Sequence, residues 1–429
     1  MGTTATIWLR ESVKVVHFVS FAGQGGAGRA ALRLHRQLLK SGWNSRMNSL
    51  EVSSLPASEN ITVTSPKIFP RFSRLLEKIF SIGVPRYEGN NWSSGMFGWI
   101  SIRQLRSSIQ ADVIILYWVG AGFLSLLTIG ILMRLGKPVV WRLSDMWPFT
   151  GGCHYSRGCS RFQSQCGRCP YIKSRFIIDR SLIVMILKNL LWKSDRLTVI
   201  CPSHWMANKV LTSSLFSSAK IEVVPTGVDT NVFAPIGDMP AADKSVLDSA
   251  VLQSDFKLLF VADGGLSSER KGGHLIREIH AYLQKSLPNL LISIIVIGGD
   301  NKFVDGGIFS LGRIASDASL ASWYRTCSVL ICPFDEDNLP NVILESMACG
   351  TPPVVFNQGG ACEAVVHGQT GLLVNEHTAI GMARSVQSLL EDPLLLAKLT
   401  KGCRRHAVDH FELSQRAVEF QNLLKGCSA

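Results

Sequence analysis

Short hydrophobic runs alternate with amphipathic stretches along most of this chain. Val13–Phe18 (VKVVHF) is apolar and rich in β-branched residues. A glycine-rich turn follows, and Arg29–Lys40 then sets Ala31, Leu34, Leu38 and Leu39 at helical spacing. This order predicts strand, loop, helix. Val113–Trp118 and Pro138–Leu143 predict buried strands with a helix over Phe123–Leu135 between them, and Arg196–Cys201 predicts a further strand. Turn signals from Val223–Val224 onward predict a linker. The alternation then resumes. Phe256–Val261, Leu290–Ile297, Val329–Cys332 and Pro353–Phe356 read as strands, with helices over His274–Leu283, Ser319–Arg325 and Asn341–Cys349. Ala379–Leu390, Leu394–Val408 and Leu413–Leu424 predict a helical tail, whereas residues 52–100 show no organised pattern. Strand and helix alternating in both halves predict an α/β protein of two parallel-sheet domains.

Composition agrees with a globular chain: of 429 residues, 46% are hydrophobic and 18% charged, which excludes wholesale disorder. The formal charge of +12 conceals an asymmetry. Residues 1–200 carry 26 basic and 9 acidic side chains, and residues 201–429 carry 18 and 23. A basic first half suits nucleic acid, an anionic membrane surface or a phosphorylated substrate. The longest apolar runs, Phe123–Met133 and Leu182–Leu187, fall short of the ~20 residues a spanning helix needs. The N-terminus has no secretory pattern but matches a myristoylation pattern through Gly2 and Thr6. The expectation is a cytoplasmic protein, soluble or peripheral at the inner face of the membrane. Eleven cysteines, an odd number, argue against a secreted disulfide framework.

Three stretches carry candidate chemistry. Gly23-Gln-Gly25-Gly26-Ala-Gly28 fits G-x-G-x-x-G between strand and helix, and Glu51 lies where a dinucleotide site places its ribose ligand. An NAD-dependent oxidoreductase is one reading, and a tight turn without a cofactor is another. In the second half, Pro340 suits the first turn of a helix and Gly350 its end. That short apolar helix carries one acid, Glu345, which is costly to bury without partners. Asp337 precedes it by eight residues, so two carboxylates can flank a polyhydroxylated ligand. Arg270-Lys271-Gly272-Gly273 suits a diphosphate, through charge and backbone amides together. Gly359 and Gly360 follow a strand and let backbone approach a ligand.

The order RKGG, then DNLPNVILESMACGTPPVVF, then GGACEAVVHGQTGLLV resembles the retaining nucleotide-sugar glycosyltransferases of family 4 over most of residues 256–375. Pro202-Ser203-His204-Trp205 and Pro225–Pro235 are similar to that family's elements around its interdomain linker. The resemblance implies a GT-B fold, two facing Rossmann-like domains with a C-terminal helical tail. It divides the chain into an acceptor-binding domain at 1–205, a linker at 206–250, a nucleotide-sugar domain at 251–405 and a last helix at 406–429. It implies that Arg270 and Lys271 bind the donor diphosphate, Glu345 the ribose hydroxyls and Asp337 the sugar, where the family usually has Glu. Asn338, Leu339, Pro340, Asn341, Gly359 and Gly360 would complete the donor pocket, and Gly25, Gly26 and Gly28 would line the cleft with no NAD. A nucleoside-diphosphate sugar is the expected donor, a glycan or lipid-linked molecule the expected acceptor, and no catalytic metal or nucleic acid is expected.

The first half departs from that pattern. Trp141–His154 is similar to a subgroup found in exopolysaccharide and colanic-acid-type clusters, which has His before its Asp. Here Ser144 precedes Asp145, and Tyr117-Trp118 stands where the subgroup has His-Trp. Cys153, Cys159, Cys166 and Cys169 form C-x5-C-x6-C-x2-C, an insertion over about 150–172 in which Arg157, Arg161 and Arg168 keep the charge basic. Four thiolates suit a structural Zn²⁺, with free thiols or local disulfides as the alternatives. A basic zinc knuckle also suits a nucleic-acid-binding protein.

Overall fold

The computed structural model describes residues 13–52, 59–82, 92–192, 194–236 and 253–428. The expected alternation forms two seven-stranded sheets. The first contains β1 (Lys14–Ala22), β2 (Asn44–Val52), β3 (Ile61–Val63), β4 (Val113–Leu116), β5 (Val139–Arg142), β6 (Leu197–Cys201) and β7 (Lys220–Val223), in the order β3-β2-β1-β4-β5-β6-β7. Its strands are all parallel. The second contains β8 (Phe256–Val261), β9 (Ile292–Ile297), β10 (Phe303–Asp305), β11 (Ile308–Ser310), β12 (Val329–Cys332), β13 (Pro353–Phe356) and β14 (Leu372–Val374), in the order β10-β11-β9-β8-β12-β13-β14. Helices cover these sheets, so strands such as β4 and β12 are buried at every position. Continuous apolar runs are what a parallel sheet covered on both faces requires.

β2 escapes the hydrophobic pattern because its sequence, NSRMNSLEV, is polar. It is nevertheless central, lying between β1 and β3. Its buried hydroxyls find partners: Ser45 Oγ lies 2.9 Å from His17 Nε2 and 2.7 Å from His35 Nδ1. Burial, aided by neighbouring His35, holds the His17 imidazole well below its ordinary pKa.

Two boundaries fall differently from the sequence expectation. The first sheet continues past 205, taking β7 and the helix His204–Leu211 from the stretch read as linker. The boundary at 405 falls inside a single helix, Pro393–Phe411. The last helix, Leu413–Ser428, returns to the first domain. There Ala417, Phe420 and Leu424 pack with Val15 and Val19 of β1 and with Leu34 and Leu38 of α1 (Gly25–Lys40). The crossing is pinned by Val228 N–H donating to Phe411 O (2.8 Å) and Leu413 N–H donating to Val228 O (2.9 Å). Among the described residues no helix is long and apolar enough to cross a membrane. Gly2 and Thr6 lie outside the described residues.

Candidate active site

Ligands of open α/β sheets bind beyond the carboxyl ends of the strands. The loops that leave those ends in the two domains meet each other here. Tyr155 OH donates to Asp337 Oδ1 (3.1 Å) and Ser203 Oγ donates to Asn338 Oδ1 (2.7 Å). Asn338 Nδ2 donates to Leu143 O (3.3 Å), and Asn341 Nδ2 to Gly26 O (3.1 Å). Most of the residues expected in the donor pocket therefore lie on one interdomain seam.

On the second domain, Lys271 Nζ donates to Asp337 Oδ2, and Arg270 Nη1 lies 3.3 Å from the same oxygen. Arg270 also donates to Glu336 O (2.7 Å) and lies over the Tyr155 ring, 4.3 Å from its centroid. Burial alone would raise the Asp337 pKa, but Lys271 and Arg270 hold it well below the carboxylate range. Because the folded value is depressed, the ionised carboxylate's stabilisation is complete above the ordinary value of about 4 and is lost as pH falls through the depressed one. Asp337→Asn should therefore lower thermal stability at pH 7, with the gap to the parent narrowing below pH ~4. An identical gap at both pH values would remove the ionised cluster.

Glu345 is buried on the helix Asn341–Ala348, and both its oxygens are engaged. Arg33 Nη2 donates to Oε1 (2.8 Å) and Tyr324 OH donates to Oε2 (3.1 Å). Arg33 belongs to α1 of the other domain, and its Nη2 also donates to Asp317 (2.9 Å), while its Nη1 is buried without a protein partner. Burial works to lower the Arg33 pKa, but Glu345 and Asp317 raise it further, so the guanidinium stays charged. Arg33, Tyr155 and Tyr324 are the site residues that sequence reasoning missed. Arg33 and Tyr324 stand outside every motif, Tyr155 lies among the spacer residues of the cysteine motif, and Arg33 lies 312 positions from its partner.

The glycines divide into two kinds. Gly25 and Gly26 are exposed at the start of α1, with Gly25 at φ +60°. Gly28 does not line the cleft: a Cβ there would lie 1.8 Å from Phe21 O, so it closes the turn beneath. Cβ atoms at Gly359 and Gly360 would lie 2.8 Å from Asp337 O and 1.9 Å from Asn338 O, so these glycines let the turn brace both residues. Leu339 is buried, and Pro340 caps the Glu345 helix. Glu51, which an NAD ribose would need, instead pairs with Arg74 at 2.5 Å.

In the first domain, Asp145 Oδ1 accepts from Trp147 N (2.9 Å) and Oδ2 lies 2.5 Å from His154 Nδ1. Beside it, Ser144 Oγ is buried with no hydrogen-bond partner in the protein. Tyr117 points into the core instead, toward His17. The four insertion cysteines, Cys153, Cys159, Cys166 and Cys169, are free thiols lining a cavity of about 20 Å³. Burial pushes the Cys166 thiol up to about 11 and that of Cys153 higher still. Among the described residues no group of three or more His, Cys, Asp or Glu has metal-holding geometry. The insertion instead reaches the other domain. Besides Tyr155 on Asp337, Arg157 N–H donates to Glu336 Oε2 (2.6 Å) and Ser156 Oγ to Glu336 Oε1 (3.3 Å).

Both halves match known families. Residues 24–232 match the Glycosyltransferase Family 4 model, and residues 255–392 match Glycosyl transferases group 1. A D-inositol 3-phosphate glycosyltransferase of Pseudarthrobacter chlorophenolicus is 30% identical over 189 residues, 41% of this chain and 43% of the relative. The chain thus spans under half the length of that curated relative. Sucrose-phosphate synthase from Thermosynechococcus elongatus superposes with TM-score 0.65 at 17% identity, covering 96% of this chain and 98% of that one. Anabaena HepE in complex with UDP and glucose superposes with TM-score 0.64 at 17% identity, covering 96% and 99%. The fold is GT-B, and the matches support a GT-B glycosyltransferase.

Proposed function

We propose that this GT-B chain transfers a hexose from a nucleoside-diphosphate sugar, with retention at the anomeric carbon, to a glycan or lipid-linked acceptor in polysaccharide assembly. The observation that carries the reading is the Arg270–Lys271 cation pair, buried on Asp337 at the seam between the domains. Two fixed cations there can stabilise a leaving diphosphate as its charge develops. The diphosphate competes with Asp337 for Lys271 and Arg270, freeing that carboxylate to accept bonds from sugar hydroxyls. Glu345 takes the ribose hydroxyls, and Ser144 Oγ is an unused donor beside the sugar. In front-face displacement the leaving oxygen accepts the acceptor hydroxyl's proton, so no separate base is required. The closed seam keeps water from the donor. The pairing of Glu51 with Arg74 weighs against the NAD alternative.

A panel of nucleotide sugars, read by thermal denaturation, tests the donor. The correct one at about 100 times its Kd stabilises the fold by ~2.7 kcal/mol. No shift with any nucleotide sugar would overturn the reading, and a product of inverted anomeric configuration would overturn retention.

A further inference from the structure

The helix Ile68–Phe80 (α2) is turned the wrong way round for a water-soluble helix. Ile68, Phe72, Leu75 and Ile79, at spacings of four, three and four, form its apolar stripe, and all four are exposed, Phe72 at 56%. An amphipathic helix on a globular protein normally buries that stripe. The side it buries is narrow and mixed, with Pro70 buried and Phe80 packed on the core at its end. Ser73 is buried, and Glu77 accepts from Ser94 N, Ser94 Oγ and Gly95 N.

A second apolar projection joins it. Phe176 and Ile178 are each 77% exposed and Ile177 is 59% exposed, at the approach to α3 (Arg180–Leu191), which also exposes Ile183, Ile186 and Leu190. Arg180 ties this segment to α2. Its Nη1 donates to Ile82 O (2.7 Å), and its guanidinium lies over the Phe80 ring. Trp99 extends the patch by stacking on Phe69 at 4.4 Å.

The charges around the patch are of one sign. Lys67, Arg71, Lys78 and Arg175 are exposed. The nearby acids are engaged by the fold: Glu77 as above, Glu51 in a partly exposed pair with Arg74, and Asp179 as the cap of α3, also accepting from Cys169 N.

We infer that this surface of the first domain docks on an anionic lipid bilayer, with α2 and Phe176–Ile178 in the interface and the cations on the headgroups. An exposed apolar stripe flanked by Lys and Arg is the interfacial pattern. A second copy of the chain fits poorly, because it would set these cations against one another. The surface also communicates with the cleft. Glu77 braces Ser94, and the adjacent Ser93 Oγ lies 3.1 Å from Nε2 of the histidine that holds Asp145. A lipid-linked acceptor would thus be met beside the site. The docking itself rests on this surface alone and stands whatever the reaction proves to be.

Vesicle flotation of the full chain tests it without donor. Binding to vesicles with an equal share of anionic and zwitterionic phospholipid should exceed binding to zwitterionic vesicles at least about tenfold, and should weaken with salt. Phe72→Ser with Phe176→Ser should lower that binding about tenfold or more. Lys67→Glu, Arg71→Glu and Lys78→Glu together should do the same. Both variants should keep the parent's melting temperature and any donor-dependent shift. Equal binding to neutral vesicles, no flotation of the parent, or flotation unchanged in the variants would overturn docking on anionic lipid. A lipid-free dimer abolished by the same substitutions would overturn it in favour of self-association.

Discussion

Lys271→Ala should lower the rate of sugar transfer by about 10³-fold, the effect of removing a preorganised group that meets developing charge. Lys271 and Arg270 share the Asp337 carboxylate, so the lysine is held at one place before any ligand arrives. Its ammonium then needs no reorganisation when the diphosphate departs. Removing it also leaves Asp337 with Arg270 as its remaining cation, at 3.3 Å, and with Tyr155 and its own neighbour's backbone N–H. Some stability is therefore lost, but both sheets and their cores lie elsewhere. Steady-state transfer, circular dichroism and donor-dependent thermal stabilisation should show a folded protein with little turnover and weakened donor binding. Full turnover would remove Lys271 from the site.

Glu345→Ala should act on two levels. Breaking a buried ion pair by removing one partner costs about 3–5 kcal/mol, because the other charge remains buried. Here that charge is Arg33, which belongs to the opposite domain and has one buried nitrogen without a protein partner, but keeps Asp317 at 2.9 Å, so the cost falls at the low end of that range. The variant should melt earlier, open the cleft and lose donor affinity together. Arg33→Met separates the two roles. It removes the cation along with its need for Glu345, so it should restore much of the stability in the double variant. It should not restore donor affinity if Glu345 also holds ribose. Recovery of both would leave Glu345 an interdomain contact only, whereas parental affinity in Glu345→Ala alone would dismiss it from the donor site.

The fold was legible wherever burial was written as hydrophobicity. β12 and β13 match their predicted spans, because strands covered on both faces have no polar positions to blur the ends, and β8 matches with Lys257 as its one polar residue. β2 was illegible for the opposite reason: three of its buried positions are serine or asparagine, with Ser45 held by histidines from β1 and α1 and Asn48 by Ser107. α2 could not be assigned a core face, since its apolar stripe does not face the core. In the site, clustered residues were legible. Arg270, Lys271 and Asp337 sit in two short motifs that converge on one oxygen. Arg33, Tyr155 and Tyr324 act across distances that no local spacing records. The four cysteines that fall within 17 residues line one small cavity, a convergence their spacing suggested.

The return of the last helix to the first domain sets the mechanics of the cleft. The chain passes between the domains near Val228 and comes back at Phe411–Leu413, and these two passages are hydrogen-bonded side by side. Glu412 strengthens the junction by accepting from Thr230. Two straps fastened at one place permit rotation about the line through them and resist sliding and twist. The domains should therefore open like a door on a single hinge, so that Arg33 leaves and re-enters its contact with Glu345 along one repeatable arc.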